Sequence, residues 1–409
     1  MRFLSHFISL FVSKPFLLSP LLLSTFPVIH PDLKFIRAVF MMIGGVVGVG
    51  VFGLPFAFAQ SGFAIGFLEL LVIALVLLMV QFMYAEITLQ TEGTHRLVGY
   101  VEIYLGKKWS WLSTIAICSS IWGAMLAYMI IGGKFLFLIL SPIFGGSVVP
   151  YSYAVGLIAA FLIFRGLQFA SKLEVFVILA FLFLFLFIIG ISLPHIEWTH
   201  LQSLDATKWF LPYGIILFAL SSTGIVPEMR DVLGLRAKKQ LGKAILIGIT
   251  IVVLLYALFA FAVVGVTGPV TTGAAFDGLI PVFGSSFRLI TSALGLITIL
   301  SIFMILGIQL QNTFKYDFQR SQKTAWFLTV IVPFVLFTFG VREFIDLVGF
   351  IGSVFGGMLG IFIVLCYLQL KREPICKERH CLNLPDAFSW LAIIFFLGGL
   401  IFTLYRFLV

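Results

Sequence analysis

Residues Ala38 to Gln60 form one almost wholly apolar stretch that glycine interrupts in its middle, as GGVVGVG at 44–50, and again at Gly53-Leu54-Pro55. The stretch is long enough to cross a bilayer as a helix, and its centre is built to leave the helix. Lipid offers no partner to a freed N–H or C=O, so a broken span survives only where the loose groups face protein, water, an ion or a ligand. A break at mid-bilayer therefore predicts a binding site.

The rest of the chain supports a membrane reading. Of 409 residues 61% are hydrophobic and 11% charged, and the mean hydropathy is +1.16. That leaves too little polar surface to coat a soluble fold. A spanning helix needs about 20 apolar residues to cross roughly 30 Å of hydrocarbon. Eleven stretches qualify, at about 38–60, 65–90, 110–140, 151–169, 173–193, 209–233, 240–266, 287–314, 324–341, 345–370 and 387–408. The predicted fold class is an all-α polytopic membrane protein, with one transporter-like domain over 35–409. Residues 1–34, apolar but carrying Lys14, Pro15, Pro20 and Pro27, read as a leader on the cytoplasmic or interfacial side.

Basic residues set the orientation, because loops rich in Lys and Arg stay in the cytoplasm. With the N-terminus inside, the inner segments and inner span ends hold 21 of the 26 basic residues, and the outer segments hold only Lys208, Arg288, Arg342 and Arg406. The N-terminus is expected in the cytoplasm and the C-terminus outside, in a plasma (inner) membrane. The net charge of +9 is spread over these inner loops beside anionic lipid. It does not make the single basic face that nucleic acid needs, and no nucleic-acid partner is expected. Four cysteines are too few for a disulfide framework. Cys376, His380 and Cys381 do not make a recognised four-ligand metal pattern, so neither a metal nor a cofactor is expected.

The sixth stretch behaves like the first. Trp209 to Leu220 is apolar, Ser221-Ser222-Thr223-Gly224 loosens it, and Pro227 with Glu228 opens a second half. Broken members five spans apart fit a 5+5 inverted repeat, about 38–193 and 209–370, with an extra eleventh helix at 387–408. Such a repeat places its site at the midplane between the broken helices. Glycines 48, 50 and 53 formally match a dinucleotide fingerprint, but no strand precedes them and no acidic residue stands at the required distance. Gly44 and Gly48 also match a helix-packing spacing. Packing alone does not account for five glycines in ten positions followed by a proline.

The remaining reading is an unwound segment whose N–H groups, at the positive end of a half-helix starting near Val51, receive a carboxylate. Carbonyls around Phe218 to Leu220, at the negative end of the facing half-helix, suit an ammonium group or a cation, and Ser221, Ser222 and Thr223 add hydroxyls. A ligand with one carboxylate and one ammonium group is a zwitterionic amino acid.

Five segments then carry a more specific likeness: GGVVGVGVFGLPFAFAQSG (44–62), YAEITLQTEGTHRLVGYVEIYLGKK (84–108), GAMLAYMIIGGKFL (123–136), ILFALSSTGIVPEM (216–229) and ILSIFMILGIQLQNTF (299–314). Over 35–409 the chain resembles the amino acid/auxin permease family of the APC superfamily, including bacterial aromatic and hydroxy amino acid permeases. The resemblance implies the eleven-helix leucine-transporter (LeuT-type) fold and secondary active transport of amino acids. It puts Val47, Gly48, Val49 and Gly50 at the substrate carboxylate, Phe218, Ala219, Ser221 and Ser222 opposite, and Tyr128 as a cap, where a plain packing role is the alternative. The uncharged pocket points to neutral, including aromatic, substrates.

For coupling, sodium-dependent relatives place an Asn where this chain has Gly44 and a Thr-Ser pair where it has Ser301-Ile302. Carbonyls near Gly44 and Val47 with Ser301 leave a thin oxygen shell, which favours H+ (or uncoupled exchange) over Na+ as the expectation. A proton route needs an ionisable group in the bilayer, which is costly enough there to have a purpose. Glu86 and Glu228 are the candidates, with ion pairing to an inner-loop arginine as the alternative for each. His95 and Arg96 read as a lipid-facing or gate-forming cluster. A monomer or weak homo-oligomer is expected. The chain carries no protease, hydrolase or nucleotide-binding signature, so no enzyme activity is expected.

Overall fold

The structure, a computed structural model, describes residues 31–165, 167–222, 224–275, 277–373 and 384–408. The predicted leader up to residue 30, Thr223, Cys376, His380 and Cys381 lie outside the described residues. All regular elements among those described are helical.

The first span is α1 (Pro31–Val46), a 3-10 turn (Val49–Gly53) and α2 (Leu54–Ser61). The second is α3 (Phe63–Gln90). A nine-residue helix, α4 (Leu97–Leu105), precedes the third span, α5 (Lys107–Phe144). The fourth and fifth are α6 (Val148–Arg165) and α7 (Leu167–Ser192). The broken sixth is α8 (Leu211–Leu220) with α9 (Ile225–Leu233). Then come α10 (Ala237–Thr267), α11 (Ile280–Asn312) and α12 (Gln322–Thr338). The tenth span joins α13 (Phe344–Phe350) and α14 (Gly357–Leu370) through a π-helical turn at Ile351–Gly356, and α15 (Asp386–Leu408) is the eleventh.

Seven helical stretches among the described residues are long and apolar enough to cross a membrane by length and composition, and the bent pair Leu33–Val46 with Val49–Ser61 makes an eighth. One of the seven, Leu211–Val270, holds the sixth and seventh expected spans together. Shorter apolar helices at Leu179–His195 and Gln322–Thr338 stand at the fifth and ninth.

Each expected span is therefore helical, but three ends differ from the sequence reading. The first span starts at Pro31, inside the predicted leader. The fifth starts at Leu167, and the eighth starts at Ile280 and bends at Gly284, where φ is 80°. The third and eighth are the long ones, as their apolar runs imply.

Two packed groups organise the bundle. Helices α1 and α3 each pack on α9 and α10, which also pack on each other, and α8 packs on α3 and α2. Helices α5, α6, α11 and α12 form the second group, with α7 on α10 and α11. The tenth span touches both groups. Where it crosses α8 the backbones meet directly: a Cβ on Gly214 would collide with the Gly349 carbonyl, and one on Gly352 with the Gly214 carbonyl. The π turn lies at this crossing, and such local widening of a helix recurs at functional sites.

Candidate functional site

The first break begins at Val47, whose N–H still donates to the Ile43 carbonyl (2.9 Å). Gly48 is fully extended, with φ −145° and ψ −163°. The chain re-enters a helix as a 3-10 turn at Val49, and the two halves of the span meet at 53°. The half-helix thus starts at Val49 in tight form and becomes α-helical at Leu54, slightly displaced from the predicted start near Val51. Pro55 sits in the first turn of α2, where its missing N–H costs nothing. Phe52 fastens the turn: its ring lies 5.5 Å from Phe135, 5.9 Å from Phe181 and 6.0 Å from Phe185, and Phe185 packs on Phe259 at 4.5 Å. Residues of the third, fifth and seventh spans therefore hold the unwound segment.

Tyr128, on α5, reaches this segment. The Val49 N–H donates to its hydroxyl oxygen at 3.1 Å. That bond uses a lone pair and leaves the phenolic proton able to donate elsewhere. A Cβ on Gly48 would lie 2.6 Å from the same oxygen, so glycine is what lets the tyrosine approach.

The second break starts at Ser221, which leaves α8 with φ −66° and ψ 129°. Its N–H donates to the Phe218 carbonyl (3.3 Å), and its hydroxyl turns back to the Leu217 carbonyl (2.6 Å). The Ser222 hydroxyl accepts from Nε2 of Gln81 (2.9 Å), and its carbonyl accepts from the Ile225 N–H (3.3 Å). The two breaks touch, for a Cβ on Gly50 would stand 2.7 Å from Ala219 Cα and 2.8 Å from the Phe218 ring.

The predicted residues thus form two contacts, Gly48 and Val49 with Tyr128, and Gly50 with Phe218 and Ala219. Val47 is buried beside them. Of the two serine hydroxyls predicted to face a ligand, Ser221 donates to its own helix, whereas Ser222 accepts from Gln81 and keeps its proton to donate, as Tyr128 does.

Two residues at the breaks escaped the sequence reading. Gln81 is a buried polar side chain that follows the apolar run 70–80 of α3, a visible signal, and its Oε1 has no hydrogen-bond partner among the described residues. Tyr256, on α10, lies 3.2 Å from the Val46 carbonyl and 3.2 Å from the Ala219 carbonyl. As a single tyrosine in an apolar run it carries no signal in spacing or motif.

The coupling candidates are dispersed. Gly44 is helical within α1, and the Ser301 hydroxyl donates to the Ile297 carbonyl of its own helix (3.0 Å). Glu86 accepts from Nε2 of Gln90 (2.7 Å). Glu228 pairs with Arg96 (3.5 Å), and Arg96 also approaches Asp231 (3.9 Å). Arg230 donates to the carbonyls of Thr88 (2.7 Å) and Gly93 (2.8 Å). This network ties α9 to the segment after α3, at the end of the bundle that carries the basic loops. The Arg96 and Glu228 side chains are 57% and 45% exposed, so solvent screens the pair. Arg96→Ala is expected to cost less than about 1 kcal/mol of stability. Thermal unfolding in detergent measures this, and a much larger loss would mean that the pair is dry.

Two cavities open at the opposite end. One of about 560 Å³ is lined by Gln60, Lys134, Lys208, Trp209, Glu343 and Arg406 among others. The second, about 240 Å³, runs beside α8 past Gly214, Gly349 and Ser353. None of their lining residues is a predicted site residue, and Val49, Gly50, Tyr128 and Ala219 are buried.

A helical membrane bundle whose first and sixth spans break side by side has the architecture of a secondary transporter. The chain belongs to the family described as transmembrane amino acid transporter protein, which matches residues 32–409. Its fold is LeuT-type, an inverted repeat with an eleventh helix. The solved structure of MhsT in complex with L-phenylalanine is similar, with a TM-score of 0.61 at 16% identity, covering 92% of this chain and 98% of that one. No curated protein sequence matches the chain. The protein is an amino acid transporter of the membrane.

Proposed function

We propose that this transporter carries neutral, including aromatic, amino acids across the plasma membrane by alternating access, driven by a proton gradient. The observation that carries the reading is the Val49 N–H to Tyr128 contact at an extended Gly48, beside the break of the sixth span. The substrate carboxylate would meet the free Tyr128 proton and the N–H end of the 3-10 turn. The uncharged surroundings favour neutral side chains, and phenylalanine bound to the structurally similar MhsT supports an aromatic cargo.

The N-terminus is cytoplasmic in this reading and the C-terminus outside. The bundle of first, second, sixth and seventh spans rocks against the third, fourth, eighth and ninth. The Arg96–Glu228 pair closes the cytoplasmic end, and the 560 Å³ cavity is the outer entrance. Proton coupling is supported by the residue types at Gly44 and Ile302, which carry no side-chain oxygen and leave Ser301 alone to supply one for sodium. Sodium symport on the same fold is the second reading.

Uptake of radiolabelled Trp, Tyr, Leu and Ala into proteoliposomes tests both, under an imposed proton gradient, a sodium gradient or neither. The expected result is proton-stimulated uptake, with Glu228→Gln abolishing the stimulation and leaving exchange of preloaded substrate. Sodium stimulation would overturn the coupling, and no uptake of any amino acid would overturn the cargo.

A further inference from the structure

We propose that the Tyr256 hydroxyl stands in for a monovalent cation between the two helix breaks, joining the Val46 and Ala219 carbonyls with the protein's own proton. The proposal rests on the reading of these breaks as the transport site.

Helices α1 and α8 both end at the breaks, α1 at Val46 and α8 at Leu220, and carbonyls from both ends converge on the Tyr256 hydroxyl. The last carbonyls of a helix lack intrahelical donors and carry the negative end of its dipole. Two such ends therefore face one another in a buried site, where Val46 and Ala219 are both enclosed. Like poles in a low dielectric repel, and unpaired carbonyls there are costly, so a positive or donating group must stand between them.

A metal cation and a strong hydrogen-bond donor are the two chemical solutions. Here the Tyr256 oxygen is 3.2 Å from each carbonyl, which is a three-centre hydrogen bond from one phenolic proton. The ring is 0% exposed and comes from α10, which packs along α1 and α9. One side chain thus links halves of both broken spans to a third, continuous one. Space filled by a phenol is closed to an ion, and its proton is neither lost nor exchanged in a transport cycle. The carbonyl pair is held together without any ion from solution.

The test needs no transport assay. Purified full-length protein in detergent is melted in sodium, lithium, potassium or choline chloride at equal ionic strength, without amino acid. Tyr256→Asn shortens the side chain, leaves an amide oxygen and reopens the space. Its melting temperature is expected to rise in sodium or lithium relative to choline by more than that of the parent protein. An ion response identical to the parent's would overturn the proposal.

Tyr256→Phe keeps the ring and removes only the bridge. Hydrogen exchange at the amides of 47–51 and of 221–225 is expected to accelerate together by about tenfold, the scale of one buried hydrogen bond. Unchanged exchange at both breaks would overturn the proposal even if the asparagine variant fails to fold. Neither measurement depends on which solute is carried, so an error in the assigned cargo would appear in uptake alone.

Discussion

Gly50→Val is expected to lower amino acid uptake about a hundredfold or more in proteoliposomes, with the protein still eluting as a folded species. A Cβ at this position would lie 2.7 Å from Ala219 Cα and 3.0 Å from Ala219 Cβ, with the Phe218 ring at 2.8 Å. Backbone cannot swing aside as a flexible side chain can, so the two breaks must separate. Overpacking of this kind costs about 1–3 kcal/mol, which the rest of the bundle can bear. The site cannot bear it so well. The Tyr256 contacts to Val46 and Ala219 are already 3.2 Å long, and a few tenths of an ångström more removes them as hydrogen bonds.

Gly53→Ala is the control in the same turn. There the nearest atoms are side-chain methyls, Ile215 Cγ2 at 3.1 Å and Ile345 Cδ1 at 3.3 Å, which can shift. Uptake within a few-fold of the parent is expected from it. Parent-like uptake by Gly50→Val would mean that the breaks do not need to touch.

What the sequence made legible divides along the same physical lines. Freed backbone groups are intolerable in lipid unless something receives them, so glycine breaks inside apolar spans expose the unwound Val47–Gly48 and the loosened Ser221–Ser222 directly. Spans could be counted for a related reason, since hydrocarbon thickness fixes their length. Helix α4 was missed because its nine residues lie between His95–Arg96 and Gly106–Lys107–Lys108, where the polar flanks read as loop. Its buried face, Leu97, Tyr100 and Val101, exists only because α5 and α14 cover it.

The hydroxyls show a different limit. Ser221, Ser222 and Tyr128 are alike as candidate ligand groups by residue type, but the partner each hydroxyl takes depends on orientation, and orientation is not encoded in spacing. Ser221 satisfies its own helix, as Ser and Thr commonly do in apolar spans. Tyr256 was hidden by abundance, being one of 11 tyrosines in a chain that is 16% aromatic. Only the convergence of two carbonyls singles it out.

Tyr128→Phe is expected to raise the KM for uptake about 10- to 100-fold while the maximal rate changes much less. The ring remains and still fills its place on α5, so a packing role predicts almost no effect. Loss of the hydroxyl strips the Val49 N–H of its acceptor and the substrate carboxylate of a donor, and a hydrogen bond to a charged group is worth about 1.5–3 kcal/mol. An interaction made equally in the bound and translocating states alters KM before rate.

Gly48→Ala separates this from general disturbance of the break. Its Cβ would meet the Tyr128 oxygen at 2.6 Å and nothing else closer than 3.9 Å. Alone it should displace the hydroxyl and mimic Tyr128→Phe. Combined with Tyr128→Phe it should add little, because the atom it strikes is already gone. Additive losses in that double variant would show that Gly48 serves the substrate through its own backbone and not through the tyrosine.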